Sequence, residues 1–253
     1  MSRIEIERFV DLEQLSTAAA EQISRAIIDG VRSRGMASLV LAGGKTPEMT
    51  YRKLAADPEI PWERVHLFWG DERWLPPDDP DSNFSMVKNA LLDKIPLPQQ
   101  NLHAIDHGAV SPQEAALLYD DELRAFLDAG QRPDGKAQFF DLTLLGMGED
   151  GHTASLFPGH SLLHEKSRYA AAVPNPAGKP FVPRVTMTFV ALACSRRILF
   201  LIKGAKKEKI LRQLERGGNC QEYPAAQVRA VEEVRWLVAA DPADAAKGGT
   251  DAP

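Results

Sequence analysis

FDLTLLGMGEDGHTASLFP, residues 140–158, reads as a buried strand that runs into a glycine-rich turn and delivers a histidine just beyond it. The strand part is apolar and β-prone apart from Asp141 and Thr143, and it stops at Gly146, Gly148 and Gly151. Glycines at that place let backbone amides approach a bound anion. Glu149, Asp150 and His152 bring acid–base groups to the same turn. Open α/β sheets carry their sites at the carboxyl ends of strands, so the stretch points to a fold class and to a location for chemistry together.

The same strand, glycine turn and helix recur upstream. Residues 38–42 run into Gly43 and Gly44, with Thr46 placed as the N-cap and Pro47 as the first position of the next helix. Residues 65–69 run into GDERW, after which Ser82 is placed to cap a helix carrying Phe84, Val87 and Leu91. Ser111, Pro112 and Glu114 open another helix as a capping box, with Leu117, Leu118, Leu123 and Phe126 along it. Nearer the start, Leu12, Leu15, Ala19, Ile23, Ile27 and Val31 recur at steps of three and four and mark a helix ending at Gly35. Strands are predicted at 184–188, 198–202 and 235–238, with a helix over about 206–216. Apolar strands alternating with helices predict an α/β, Rossmann-like three-layer sandwich with a mostly parallel sheet. Residues 1–240 are expected to form one domain, 71–81 a functional loop, and the small, polar residues 241–253 a frayed tail.

Composition narrows the function. A chain of 253 residues with 44% hydrophobic content can bury a substantial core. Its net charge of -5 offers no basic field, so neither nucleic acid nor an anionic membrane is expected as a partner. An anionic ligand would need a local cluster such as Lys203, Lys206, Lys207 and Lys209. Cys194 and Cys220 are far apart and lack CxxC or CxxH context, which suggests neither a disulfide framework nor a zinc site. The charged opening segment does not read as a signal peptide, and a cytoplasmic protein is expected.

Several segments hold groups suited to chemistry. The turn LAGGKTP, 41–47, supplies Gly43, Gly44, Lys45 and Thr46 at a helix start, the parts of a phosphate cradle, although it matches neither GxxxxGK[ST] nor GxGxxG. A plain tight turn would use the same glycines. Asp71, Glu72 and Arg73 follow a strand, where acids can hold sugar hydroxyls and an arginine a phosphate; a solvated charge run is the competing reading. His152 sits among small residues and can accept a proton at neutral pH, or can cap the segment that follows. His66 reads as a packed or edge residue, and His103, His107, His160 and His164 as loop residues without convergent partners. No metal is expected, because Asp150 and His152 are the only close pair of ligands and HExxH is absent. Ser155 has no nucleophile elbow around it. PRVTMT, 183–188, and KGAKKEKIL, 203–211, place Arg184 and Lys207 where they could join a phosphate site, while Lys206 and Lys209 suit a solvated helix face.

Taken in order, LAGGKTPEMTYRKL, FWGDERWLPPDDPDSNFSM, FDLTLLGMGEDGHTASLFPG and RVTMTF followed by LFLIKGAKKEKIL closely resemble 6-phosphogluconolactonases of the kind related to glucosamine-6-phosphate deaminases. The likeness covers about residues 10–240. It implies a fold similar to the deaminase and ribose-5-phosphate isomerase-like folds. It also implies hydrolysis of 6-phospho-D-glucono-1,5-lactone in the oxidative pentose phosphate pathway, with no cofactor and a monomer or small homo-oligomer. By the family pattern His152 activates water; Asp150 is a further catalytic candidate, and it either orients His152 or caps the turn, as Glu149 could. Arg73 and Arg184 bind the anionic substrate, and Lys207 matches the lysine of the GAxK stretch. One departure is Lys45, where the commoner pattern is GGSTP. The related deaminases carry aspartate-glutamate-tyrosine in place of Asp71, Glu72 and Arg73, and a different stretch where this chain has Ser155, Leu156, Phe157 and Pro158. A sugar-phosphate sensor without turnover is the remaining alternative; it lacks room here for a DNA-binding segment.

Overall fold

The computed structural model describes residues 5–129, 139–218 and 220–240, so the predicted tail lies outside the described residues. Strand β1 (Glu5–Phe9) leads into helix α1 (Leu12–Arg34), capped at its start by the Asp11 carboxylate and turned at its end by Gly35 at φ 79°. That left-handed conformation costs a residue with a Cβ about 1–2 kcal/mol. The buried face of α1 includes the expected Leu15, Ala19, Ile23 and Ile27. There follow β2 (Ala37–Leu41), α2 (Lys45–Ala55), β3 (Val65–Trp69), β4 (Asp71–Arg73), α3 (Asn83–Ala90), β5 (Leu102–His103) and α4 (Pro112–Ala129). The second half holds β6 (Phe140–Leu145), β7 (Ala170–Val173), β8 (Arg184–Met187), α5 (Phe189–Leu192), β9 (Ser195–Lys203), α6 (Ala205–Glu215), α7 (Pro224–Gln227) and β10 (Glu233–Ala239).

The main sheet has seven strands in the order β1-β10-β9-β6-β2-β3-β5, with every pairing parallel. Strands β2 and β6 are buried along their whole length, which explains why they are apolar apart from Ser38, Asp141 and Thr143. The chain crosses the sheet from β1 through β2 and β3 to β5, then returns to β6 and moves through β9 to β10. Right-handed crossovers therefore place α1 and α2, on the outward path, on one face of the sheet and α4, on the return path, on the other. In agreement, α1 packs on α2 and α2 on α3, while α4 packs on a separate sheet. Because β2 and β6 are neighbours where the direction reverses, a crevice opens between their carboxyl ends.

The two polar residues of β6 tie these layers together. The Asp141 carboxylate accepts the Ser38 amide at 2.9 Å and pairs with Arg34 at the end of α1. The Thr143 hydroxyl lies 2.7 Å from that of Ser195, joining β6 to β9.

The charged opening segment, for which the sequence predicts no element, forms an edge strand, β1. Four expectations are corrected. The strand expected at 184–188 is β8, and it belongs to a second sheet, antiparallel β4-β8-β7, rather than to the main one. Helix α2 begins at Lys45 with Gly44, not Thr46, as its N-cap. Leu117 and Leu118 are exposed, since α4 buries Ala115, Ala116, Tyr119 and Leu123 instead. His103 and His107 are not free loop residues. His103 stacks on Phe68 and bridges His66 and Glu122 at 2.9 and 2.7 Å, and burial with the neighbouring His103 pushes His66 down to about 4. His107 donates to the Leu75 carbonyl at 2.8 Å.

Two buried tyrosines fix the strand ends that lead into the crevice. Tyr51 Oη accepts the Ala42 amide at 2.9 Å and donates to the Ala42 carbonyl at 2.7 Å, and Tyr119 does the same for Trp69 at 2.9 and 2.8 Å. Burial drives both phenols above their ordinary range. Tyr51→Phe strands a buried amide and carbonyl next to Gly43, at a cost of about 1–3 kcal/mol. Urea unfolding is expected to show that loss as a lower midpoint at unchanged slope.

Candidate active site

A cavity of about 210 Å³ occupies the crevice. One wall is the turn after β2, with Gly43, Gly44, Lys45 and Thr46; another is the turn after β6, with Gly146, Gly148 and His152. Asp71, Arg73, Asn83, Arg184 and Lys207 close it. The cations Lys45, Arg73, Arg184 and Lys207 thus face a single lining carboxylate, that of Asp71. Against the protein's overall negative charge, this is a local anion site.

Two helices point their starts at the cavity, α2 through Lys45 and α6 through Lys207. Their N-caps are Gly44 at φ 94° and Gly204 at φ 120°, and neither start has a side-chain cap, whereas Asp11, Ser82 and Thr188 cap α1, α3 and α5. Uncapped first-turn amides with the positive end of the helix dipole are suited to phosphate. Lys207 is half-buried at the start of α6, and burial lowers its pKa against the opposing pull of Glu149.

His152 is held by its neighbour. Nδ1 lies 2.5 Å from the Asp150 carboxylate, whose same oxygen accepts the His152 amide at 3.1 Å. A carboxylate needs a donor, so Nδ1 carries the proton and Nε2 is left as the basic nitrogen. Partial burial pulls the Asp150 carboxyl up, but its bonds to His152 and the His152 charge together hold it below its usual range. The ring rests on Phe157, with centroids 4.6 Å apart. A Cβ on Gly148 would overlap both the His152 ring and the Asp150 carboxylate, which is why this turn needs glycine. Glu149 has a different task, an exposed pair with Lys206 at 2.6 Å, as the solvated-face reading of Lys206 expects. Ala154, lining the same wall, sits at φ 46°, a left-handed conformation of the kind that collects at functional sites.

Strand β4 sorts its three charged residues by alternation. Asp71 and Arg73 line the cavity, whereas Glu72, 2% exposed, points to the other side. The expectation that Glu72 holds substrate is therefore corrected. Its carboxylate accepts the amides of Arg73, Asn83 and Phe84 at 2.6, 2.8 and 2.6 Å and the Ser82 hydroxyl at 3.2 Å, fixing the start of α3. Nor is GDER a solvated charge run, since Asp71 and Glu72 are both buried. Asp71 accepts the Ser155 hydroxyl at 2.6 Å, which leaves Ser155 buried and occupied rather than poised as a nucleophile.

Arg73 and Arg184 are directly opposite each other on β4 and β8. Like charges in that position repel, and burial followed by the neighbouring Arg73 lowers the Arg184 pKa despite Asp71. Arg184 donates to the carbonyls of Gly178, Lys179 and Pro180 at 3.0, 3.0 and 3.1 Å, and Arg73 to that of Asp81 at 2.6 Å. The Nε of each is buried without a partner. Both arginines line the cavity, where their positive charge favours an anionic ligand.

Sequence reading missed Asn83, Phe157 and the glycine requirement at 148; only the adjoining Ser82 cap gave a signal near the first. Among the described residues no three His, Cys, Asp or Glu side chains converge as a metal centre, and no helix is long and apolar enough to cross a membrane.

The comparisons agree with this geometry. The family model described as glucosamine-6-phosphate isomerases/6-phosphogluconolactonase matches residues 10–236. A 6-phosphogluconolactonase of Synechocystis is 36% identical over 92% of each chain. The crystal structure of a 6-phosphogluconolactonase from Thermotoga maritima superposes with a TM-score of 0.80 at 34% identity, covering 94% of this chain and all of that one (100%). A monomeric glucosamine-6-phosphate deaminase, with a TM-score of 0.74 at 23% identity, shares the fold. With a family-model match over nearly the whole length and relatives above 30% identity over most of both chains, the chain belongs to the glucosamine-6-phosphate isomerase/6-phosphogluconolactonase family.

Proposed function

We propose that this chain, as a single-domain cytoplasmic enzyme, hydrolyses 6-phospho-D-glucono-1,5-lactone to 6-phosphogluconate in the oxidative pentose phosphate pathway. The observation that carries the reading is the joint presence, on one cavity, of a carboxylate-oriented histidine and two uncapped helix starts flanked by cations. The names of the relatives support the same reaction.

The phosphate is gripped by the amides of Gly43, Gly44, Lys45 and Thr46, with Lys207 and Arg184, far enough from C1 to spend binding energy on orientation. His152 Nε2 removes a proton from water as its oxygen bonds to C1. The carbonyl oxygen takes up negative charge, which Arg73 and the turn amides stabilise, and Asp150 steadies the imidazolium. As the oxyanion collapses, the C1–ring oxygen bond breaks and His152 returns the proton to the departing hydroxyl. The new carboxylic acid then releases its proton to solvent. No covalent enzyme intermediate is required.

The reading predicts strong preference for the phosphorylated lactone over glucono-1,5-lactone and no ammonia from glucosamine 6-phosphate; the opposite pattern in coupled assays would replace it with a deaminase. Lys207→Ala should reduce kcat/KM for the phosphorylated lactone roughly 10- to 150-fold, the worth of a charge-assisted hydrogen bond of about 1.5–3 kcal/mol. The unphosphorylated lactone should be nearly unaffected, and equal losses on both would remove Lys207 from the phosphate site.

A further inference from the structure

Asn83 is the first residue of α3, 1% exposed, and lines the cavity. Its amide orientation is settled by its neighbours: Nδ2 donates to the Asp71 carbonyl at 2.8 Å and faces the Asp71 carboxylate at 3.5 Å, so Oδ1 must be the other end. That Oδ1 is buried and has no hydrogen-bond partner. It lies so close to Gly43 that a Cβ there would overlap the Asn83 amide, which places the acceptor against the glycine turn of the cavity wall. The residue is not free to swing out to solvent, because Glu72 holds the amides of Asn83 and Phe84 and Ser82 caps the helix. A rigid, desolvated acceptor in a cavity whose other polar groups are mostly donors calls for a hydroxyl that donates to it.

Resting on the proposed sugar-phosphate reaction, we infer that Asn83 Oδ1 accepts a hydrogen bond from one ring hydroxyl of the substrate and is a specificity-determining residue. It selects a polyhydroxylated ring over a deoxy ring of the same shape. Asp71, held by Ser155 and by Asn83 itself, sets the amide so that its oxygen and not its nitrogen faces the ring.

The test is a panel of 6-phosphogluconolactone and its 2-, 3- and 4-deoxy forms. Wild-type protein should lose roughly 10- to 100-fold in kcat/KM on one deoxy form, the range expected when a built acceptor loses its donor. Asn83→Ala should lose a similar factor on the full substrate and be indifferent to that one deletion. A wild type indifferent to all three deletions overturns the inference without recourse to any variant, and an Asn83→Ala loss equal on all four substrates overturns it in favour of a structural role. If no lactone is turned over, that failure falls on the proposed reaction. Calorimetry with 6-phosphogluconate and its deoxy forms then reads the same contact as binding, where absence of a matching deficit overturns the inference.

Discussion

His152→Ala should lower kcat for lactone opening by about 10²- to 10⁴-fold, the usual worth of a positioned general base. The ring is part-exposed in the cavity wall and its polar bonds run to Asp150, so its removal leaves the sheet and the phosphate grip untouched. KM should therefore change little while kcat falls. The residual rate reports what the helix starts and arginines supply by orientation and charge. Asp150 is held below the usual carboxylate range, so it stays ionised as the pH falls from neutrality through mild acid. A folded His152→Ala protein within a few-fold of wild type would rule the residue out as the base.

Gly148→Ala should be nearly as damaging while every chemical group remains in place. The added methyl would overlap His152 Nδ1, Cε1 and the Asp150 carboxylate at once, so the pair must shift together. Displacing a reacting group by about 1 Å costs on the order of 10²-fold in rate. The effect should again fall on kcat, with phosphate-dependent binding retained and thermal stability only modestly reduced. A variant of normal kcat would show that the turn relaxes and that the observed His152–Asp150 geometry is not the working one.

How much of this was legible in the sequence depends on the kind of signal. Helix α1 and strands β2, β3, β6 and β9 announce themselves by apolar periodicity because each is buried against the main sheet. The glycine turns and His152 were legible for the same reason, as they sit where buried strands end. Strand β4 was not, because its residues Asp71, Glu72 and Arg73 look like a solvated run and become a strand only through pairing with β8. That pairing sends Glu72 away from the cavity and brings Arg73 opposite Arg184, and no local pattern encodes either result. Strand β1 was hidden similarly: exposed Glu5, Glu7 and Arg8 suit an edge but mask the alternation. Asn83 was invisible because its significance lies in an acceptor left without a donor, a property of the folded cavity alone.

Opening of a phosphorylated lactone by water in this crevice has a direct readout. It is tested most directly by acid release on mixing wild-type protein with 6-phosphogluconolactone generated immediately beforehand, corrected for spontaneous ring opening. The predicted result is a rate proportional to protein concentration and far above the uncatalysed one, with 6-phosphogluconate as the product. Acid release no faster than the uncatalysed reaction, from protein that is folded and binds 6-phosphogluconate, would contradict the account.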